Sequence, residues 1–213
     1  LDRPERGFSY RFDAPLDMRM DPSEGMTAAE LIARSSEDEL ARVFAAHGEG
    51  RFARRIAAAV ARAKPATTLA LAEAAASAVP APARRRGHPA KRVFQALRTA
   101  VNAELETLPV AIDAAIELLS PAGRLVVISY HSGEDRVAKE RLLAAATGGC
   151  TCPPGLPCGC GAVPRVRLLN RGARKPSAAE VAANPRAASA RLRAAEALGP
   201  SQVSEVLRER SPQ

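Results

Sequence analysis

Residues 122–136 read AGRLVVISYHSGEDR, and the fold is decided there. Leu125 and the β-branched Val126, Val127 and Ile128 form a short apolar run, the pattern of a strand buried in a sheet. The run breaks off into Tyr130, His131, Ser132, Gly133, Glu134, Asp135 and Arg136. A core strand that ends in so many hydrogen-bonding groups presents them at its carboxyl end, where open α/β sheets bind ligands. Part of the cluster has a plain structural use: Ser132 is expected to cap the next helix, with Asp135 reaching back from N3. That use leaves His131 over, and its ring is expected to point into the crevice as a site residue.

Moving outward, the chain changes character on either side of this strand. Residues 1–25 are irregular, with Pro4, Gly7, Pro15, Pro22 and Gly25. Thr27–Glu30 and Ser36–Glu39 have capping-box spacing, and Leu40, Val43 and Phe44 share one face of the helix that follows. Phe52, Ile56 and Val60 repeat every fourth residue and predict another helix. Thr68 is expected to cap a helix that runs through Val79, before Pro80-Ala81-Pro82 and the basic loop Arg84–Gly87. Pro89 suits the first turn of a long helix striped by Val93, Leu97, Val101, Leu105 and Leu108. Pro109 is expected to interrupt it, with Ile112, Ile116 and Leu119 resuming beyond. Downstream of strand 124–130, a helix over 134–146, a Cys-rich loop, a strand near 165–169, a helix from Ser177 (capping spacing to Glu180) and a last strand near 189–196 are expected.

The 213 residues, 46% hydrophobic, suffice for one large domain or two small ones. No apolar run approaches the roughly 18 residues of a membrane span, and no signal peptide is visible. The cytoplasm is therefore the expected location, with no membrane partner. Lys and Arg total 31 against 23 acids, a net charge of +8 that favours an anionic partner such as nucleic acid. Arg and Ala dominate as they do in GC-rich genomes, so charge alone does not decide. Aromatic residues are only 3%, which argues against a base-stacking platform.

Other stretches carry candidate chemistry. In HPAKRVFQALRTAVN, residues 88–102, Lys91, Gln95, Arg98 and Asn102 fall on one helix face and could hold phosphates and read base edges; a solvated face is the plainer account. In PLDMRMD, residues 15–21, Asp17, Arg19 and Asp21 alternate with apolar residues, which also suits an Arg clamped between two acids. Cys150, Cys152, Cys158 and Cys160 lie in a single loop, CTCPPGLPCGC. Tetrahedral zinc, reduced thiols and disulfides all stay open for them, although a cytosolic protein rarely uses disulfides. Asn184-Pro185 is a turn former, and Arg186, Arg191 and Arg193 lead from it into the final strand.

In order and spacing, LDRPERGFSYRFDAPLDMRMD, HPAKRVFQALRTAVNAELE, AGRLVVISYHSGEDR and NPRAASARLRAAE resemble the bacterial RsmH/MraW family. These methyltransferases modify the N4 of a cytidine in the decoding region of 16S ribosomal RNA. The resemblance covers nearly the whole chain, and CTCPPGLPCGC resembles a variant loop of some members. It implies an α/β fold, a partial Rossmann-like class I methyltransferase sheet with an inserted α-helical domain. Residues 26–102 would be the RNA-binding insertion, with 1–25 and 103–213 the C-terminal portion of the methyltransferase domain.

The family's glycine-rich cofactor loop, the acid after its second strand and the aspartate of its fourth motif are expected upstream of Leu1. The chain is thus expected to be N-terminally truncated, with no cofactor-binding residues of its own, inactive alone and weak or void in binding S-adenosylmethionine. The resemblance implies rRNA processing on the small ribosomal subunit, with a homodimer one open state of assembly. Catalytic roles in orienting the cytosine amine fall to His131 and to Asp17 or Asp21. Contacts to RNA fall to Arg19, His88, Lys91, Arg92, Gln95, Arg98, Asn102, Ser132, Asn184 and Arg186. The alternative is a non-catalytic RNA- or ribosome-binding module on a degenerate methyltransferase fold.

Overall fold

The computed structural model describes residues 3–46, 50–84, 87–153 and 159–210, the last four of these by backbone alone. The chain divides into two compact units, Leu1–Glu104 and Leu105–Gln213.

The first unit is helical. Its helices are α1 (Ala28–Arg34), α2 (Glu37–Ala46), α3 (Ala53–Ala63), α4 (Thr68–Ser77), the single turn α5 (Ala81–Arg84) and α6 (Ala90–Val101). Spacing dictates the packing. Ile56 and Val60, with Ala53 and Ala57, give α3 one apolar stripe, while Arg54, Arg55 and Arg62 hold its other side in solvent or at the rim. Leu40 and Phe44 of α2, Leu71 of α4, and Val93 and Leu97 of α6 join Ile56 and Val60 in one core, all buried. Each such side chain contributes about 1.5–3 kcal/mol on burial.

The capping boxes at Thr27–Glu30 and Ser36–Glu39 form with both reciprocal bonds. The cap of α4 is Thr67, not Thr68. Thr68 is buried, and its hydroxyl accepts from the Ala14 amide at 3.1 Å and donates to the Phe12 carbonyl at 2.6 Å. A hydroxyl committed to the N-terminal segment leaves the cap to its neighbour. That segment packs on these helices: Leu16 and Met18 are buried among them. The Leu16 and Asp17 carbonyls accept from the Ala29 and Ala28 amides and so close the start of α1. Gly7, at φ +73°, is where the segment crosses itself; a Cβ there would lie 2.4 Å from the Pro15 carbonyl oxygen.

The break after α6 falls at Asn102–Ala103 rather than at Pro109. Ala103 takes φ +46° and α7 (Glu104–Glu117) starts at the next residue, with Pro109 inside it. The Asn102 side chain competes for backbone partners there and ends α6 sooner than the proline would.

The second unit is a small α/β layer. β1 (Arg124–Ser129), β2 (Val166–Leu168) and β3 (Arg191–Ala197) form a sheet of order β1-β3-β2. Both pairings are antiparallel, Arg124 opposite Glu196 and Val166 opposite Ala197, so β1 and β2 run the same way. One face of the sheet is covered by α8 (Ser132–Thr147), whose Ala138, Leu142 and Ala145 meet Val166, Ala195 and the α7 residues Ile112 and Ile116. Arg141 of α8 forms a two-pronged ion pair with Asp113 of α7. The short helices α9 (Ala178–Ala183) and α10 (Pro200–Arg210) flank β3 in sequence. The β1 run is not buried on both sides as its composition suggested. Leu125 and Val127 face the core cluster, while Val126 and Ile128 are about half exposed, 52% and 54%.

Candidate functional site

The polar turn after β1 is organised around a histidine. His131, with extended backbone (φ −140°, ψ 164°), is itself the N-cap of α8. Its Nδ1 accepts from the Gly133 amide at 3.2 Å and the Glu134 amide at 3.3 Å. Glu134, at N3, returns Oε2 to the amides of Tyr130 (2.7 Å) and His131 (3.2 Å). The expected Ser132–Asp135 cap is therefore displaced by one residue. Asp135 instead holds Arg193 of β3 by two bonds of 2.8 and 3.0 Å, tying the first turn of α8 to the sheet. Ser132 is exposed on that turn.

Because Nδ1 accepts two hydrogen bonds, the neutral ring carries its proton on Nε2. That nitrogen is buried and lacks a partner of good geometry, although Glu134 Oε1 lies 3.3 Å away. A buried N–H in this state is an unmet donor. Burial pushes the Glu134 carboxyl up, but the His131 ring beside it and the Tyr130 amide outweigh this and hold it below its ordinary value. Gly133 lies close by, and a Cβ there would stand 3.1 Å from the His131 ring, a tight contact.

In the first unit, Asp17 and Arg19 pair through bonds of 2.7 and 2.9 Å, and the Arg19 amide also donates to Asp17 Oδ1. Those bonds from Arg19 hold the Asp17 carboxyl below its ordinary range. Asp21 takes no part in this clamp. Its Oδ1 accepts from the Ser23 hydroxyl at 2.6 Å and the Ser23 amide at 2.9 Å, which lowers its pKa as well. The Arg between two acids expected from the sequence is an Arg held by one acid.

The stripe on α6 is similarly divided. Asn102 donates to the carbonyls of Met18 and Arg98, each at 2.8 Å, and accepts from the Met20 amide at 2.6 Å. Its carboxamide braces backbone, in particular the left-handed turn at Met18 (φ 62°). Arg98 forms a two-pronged pair with Glu104 at 2.8 and 2.9 Å. His88 stacks on Tyr10, centroids 5.0 Å apart, and its Nδ1 accepts from Ala90. Lys91 and Arg92 are exposed and Gln95 is half-buried. In the second unit, Asn184 spends its side-chain oxygen on the Arg186 amide, while Arg186 is exposed.

A feature passed over in the sequence lies between α2 and α3. Arg42, Arg51, Arg54 and Arg55, with Asp38, line an open cleft of about 560 Å³. Arg54 and Arg55 lie in the first turn of α3 and Arg51 in the turn before it, an i, i+3, i+4 spacing hidden by the general abundance of arginine. Four guanidinium groups against one carboxylate suit phosphate oxygens.

In the loop after α8, the thiols of Cys150, Cys152 and Cys160 converge with all sulfur atoms within 4.8 Å of one another. Cys158 lies outside the described residues. No described helix is long and apolar enough to cross a membrane.

A sheet in which an antiparallel strand separates two like-directed ones, with a polar strand end running into a helix and a helical unit beside it in sequence, makes a mixed α/β fold, consistent with a piece of a methyltransferase domain. The family model described as the MraW methylase family matches residues 1–198, and the chain belongs to that family. Among curated relatives, the chain is 54% identical over 209 residues to a protein of Salinispora tropica named Ribosomal RNA small subunit methyltransferase H, covering 95% of this chain and 56% of the relative. Proteins of that name from Thermobifida fusca and Heliobacterium modesticaldum are 54% and 49% identical, each over 92% of this chain, with 61% and 64% of the relative covered. The chain thus spans about three-fifths of the length of these relatives.

Proposed function

We propose that this chain is part of an enzyme that methylates the N4 amine of a cytidine in the decoding region of 16S ribosomal RNA, using S-adenosylmethionine. The observation that carries the reading is its identity of 54% over 95% of the chain to a relative named as a small-subunit rRNA methyltransferase. The net charge of +8 and the arginine-lined cleft between α2 and α3 support an RNA partner. We assign the domain organisation expected from the sequence to the complete enzyme: 26–102 for RNA, 1–25 and 103–213 for the methyltransferase domain.

Bound S-adenosylmethionine would supply an electrophilic methyl group. No described strand–turn–helix of this chain is glycine-rich: Gly148-Gly149 closes the end of α8, and the β1–α8 turn is filled by the His131 ring. The described residues do not by themselves fit that cofactor, so the roles assigned to them concern the base.

The N4 lone pair of cytosine is delocalised into the ring. An acceptor that bonds an N4 hydrogen can turn the lone pair out of conjugation and take up the proton that must leave as the new N–C bond forms. Asp21 suits this better than Asp17. Both Ser23 bonds end on Asp21 Oδ1 and leave Oδ2 to accept, whereas both Asp17 oxygens are engaged by Arg19. His131 is assigned to the base as well, and its Nε2–H, buried beside Glu134, would have to be uncovered to donate to a ring acceptor of cytosine. Extruding the base from its stack falls to phosphate contacts, for which Lys91, Arg92, Arg186 and the arginines of the α2–α3 cleft are assigned. Arg19, His88, Gln95, Arg98, Asn102, Ser132 and Asn184 remain assigned to RNA contacts, with Asn102 acting through the backbone it holds.

The test uses the complete protein, small ribosomal subunits lacking the modification and S-adenosylmethionine with a labelled methyl. Label recovered as N4-methylcytidine supports the reading. Tight binding to the subunit with no transfer supports the non-catalytic module instead.

A further inference from the structure

We infer that the loop between α8 and β2 is a zinc site in which Cys150, Cys152 and Cys160 supply three thiolates. The loop is closed at its base by firm backbone contacts. Gly148 takes φ +68° and packs so closely on Val163 that a Cβ would fall 2.5 Å from its backbone. The Gly149 amide donates to the Ala144 carbonyl at 2.9 Å, and the Arg165 amide donates to the Ala145 carbonyl at 2.8 Å. Between these anchors, none of the described residues 149–153 and 159–162 is buried. Apolar packing therefore does not hold the three side chains together. Even so, their sulfur atoms gather within 4.8 Å, from two arms of the loop.

A tetrahedral zinc–thiolate centre has Zn–S bonds of about 2.3 Å, which puts its sulfur atoms about 3.8 Å apart, so small side-chain rotations close this trio on one ion. Soft sulfur donors favour zinc over magnesium or calcium. Three S–H protons would leave as three Zn–S bonds form, with no oxidant or reductant required. The fourth ligand comes from outside the trio. A metal would do for the two described arms of this loop what a core does elsewhere: it would restrict residues of which none is buried. The site is independent of methyl transfer, so its test can fail while the function proposed above stands.

The experiment is elemental analysis of the purified chain, followed by exchange of cobalt(II) for the bound metal. The expected result is about one zinc ion per chain, thiols that react with Ellman's reagent only after chelation, and a cobalt form with the sulfur-to-metal charge-transfer and strong visible bands of tetrahedral thiolate coordination. C152S and C160S should each lose stoichiometric zinc while the helical circular dichroism persists. Should a variant fail to fold, the cobalt spectrum of the unmodified chain decides. Metal-free protein with all thiols titratable, or a mass lowered by disulfide formation, would overturn the assignment.

Discussion

The carboxamide of Asn102 grips Met20 and Met18 at once, accepting from one amide at 2.6 Å and donating to the other residue's carbonyl at 2.8 Å. One side chain at the end of a helix thereby fixes the segment that carries Asp17, Arg19 and Asp21. Replacing Asn102 with Ala should cost about 1–3 kcal/mol, because it strands backbone groups that then lack partners. Urea unfolding of the chain measures this; an unchanged midpoint would show that the brace is dispensable.

Gly7 should tolerate no side chain. Its φ of +73° already disfavours one, and the Pro15 carbonyl oxygen occupies the place of the Cβ. Gly7→Ala is expected to destabilise the helical unit by about 2 kcal/mol or more, whereas Gly25→Ala, also at positive φ but with open space around it, should cost about 1–2 kcal/mol. Comparing the two melting temperatures separates backbone strain from collision.

His131 has two separable duties. As a cap it should be replaceable: His131→Asn restores an acceptor to the start of α8, whereas His131→Ala loses about 1 kcal/mol. As a donor to the base it should not be replaceable. Both variants of the complete enzyme are expected to lose turnover at least tenfold, equivalent to about 1.4 kcal/mol of barrier. Wild-type kcat in the Asn variant would assign His131 to capping alone.

Acid should loosen the helical unit through particular carboxylates. Asp17, Asp21, Glu30 and Glu39 are all held below their ordinary values, by bonds from Arg19, Ser23, Thr27 and Ser36 respectively. A depressed folded value means that the unfolded chain binds protons first. The stabilisation is fully present above the ordinary carboxylate range, near pH 4, and is lost as pH falls through the lower folded values. Tm measured from pH 6 downward should drop below about pH 4, and Asp17→Asn should flatten part of that slope. A parallel curve in the variant would rule Asp17 out as a contributor.

If the α2–α3 cleft takes RNA phosphates, Arg54→Glu should weaken binding to small-subunit RNA across sequences and reduce its dependence on salt. The slope of log K against log salt should fall by about one. An unaltered slope would leave the cleft without a part in binding.

Much of this was legible in the chain itself. Strand and helix alternation after Ala122, the Thr27 and Ser36 capping boxes and the apolar stripes of α3 and α6 follow from spacing, because each is a local rule acting on neighbouring residues. Three of the misses share one cause, which is competition for a polar group by a partner distant in sequence. Thr68 is drawn to Ala14 and Phe12, Asn102 to Met18 and Met20, and Asp135 to Arg193. No periodicity reports such partners. His131 as a cap was missed because a ring nitrogen seldom does the work of a serine or aspartate oxygen. The arginine cleft was hidden by composition, since every described helix of the unit except α4 carries arginine.

The most direct measurement of the central claim is nucleoside mass spectrometry of 16S ribosomal RNA from cells with and without the gene that encodes this chain. Loss of the N4 methyl from a decoding-region cytidine on deletion, and its return when the intact gene is restored but not when Asp21→Asn is, is the predicted result. A methyl that persists in the deletion strain would contradict the account.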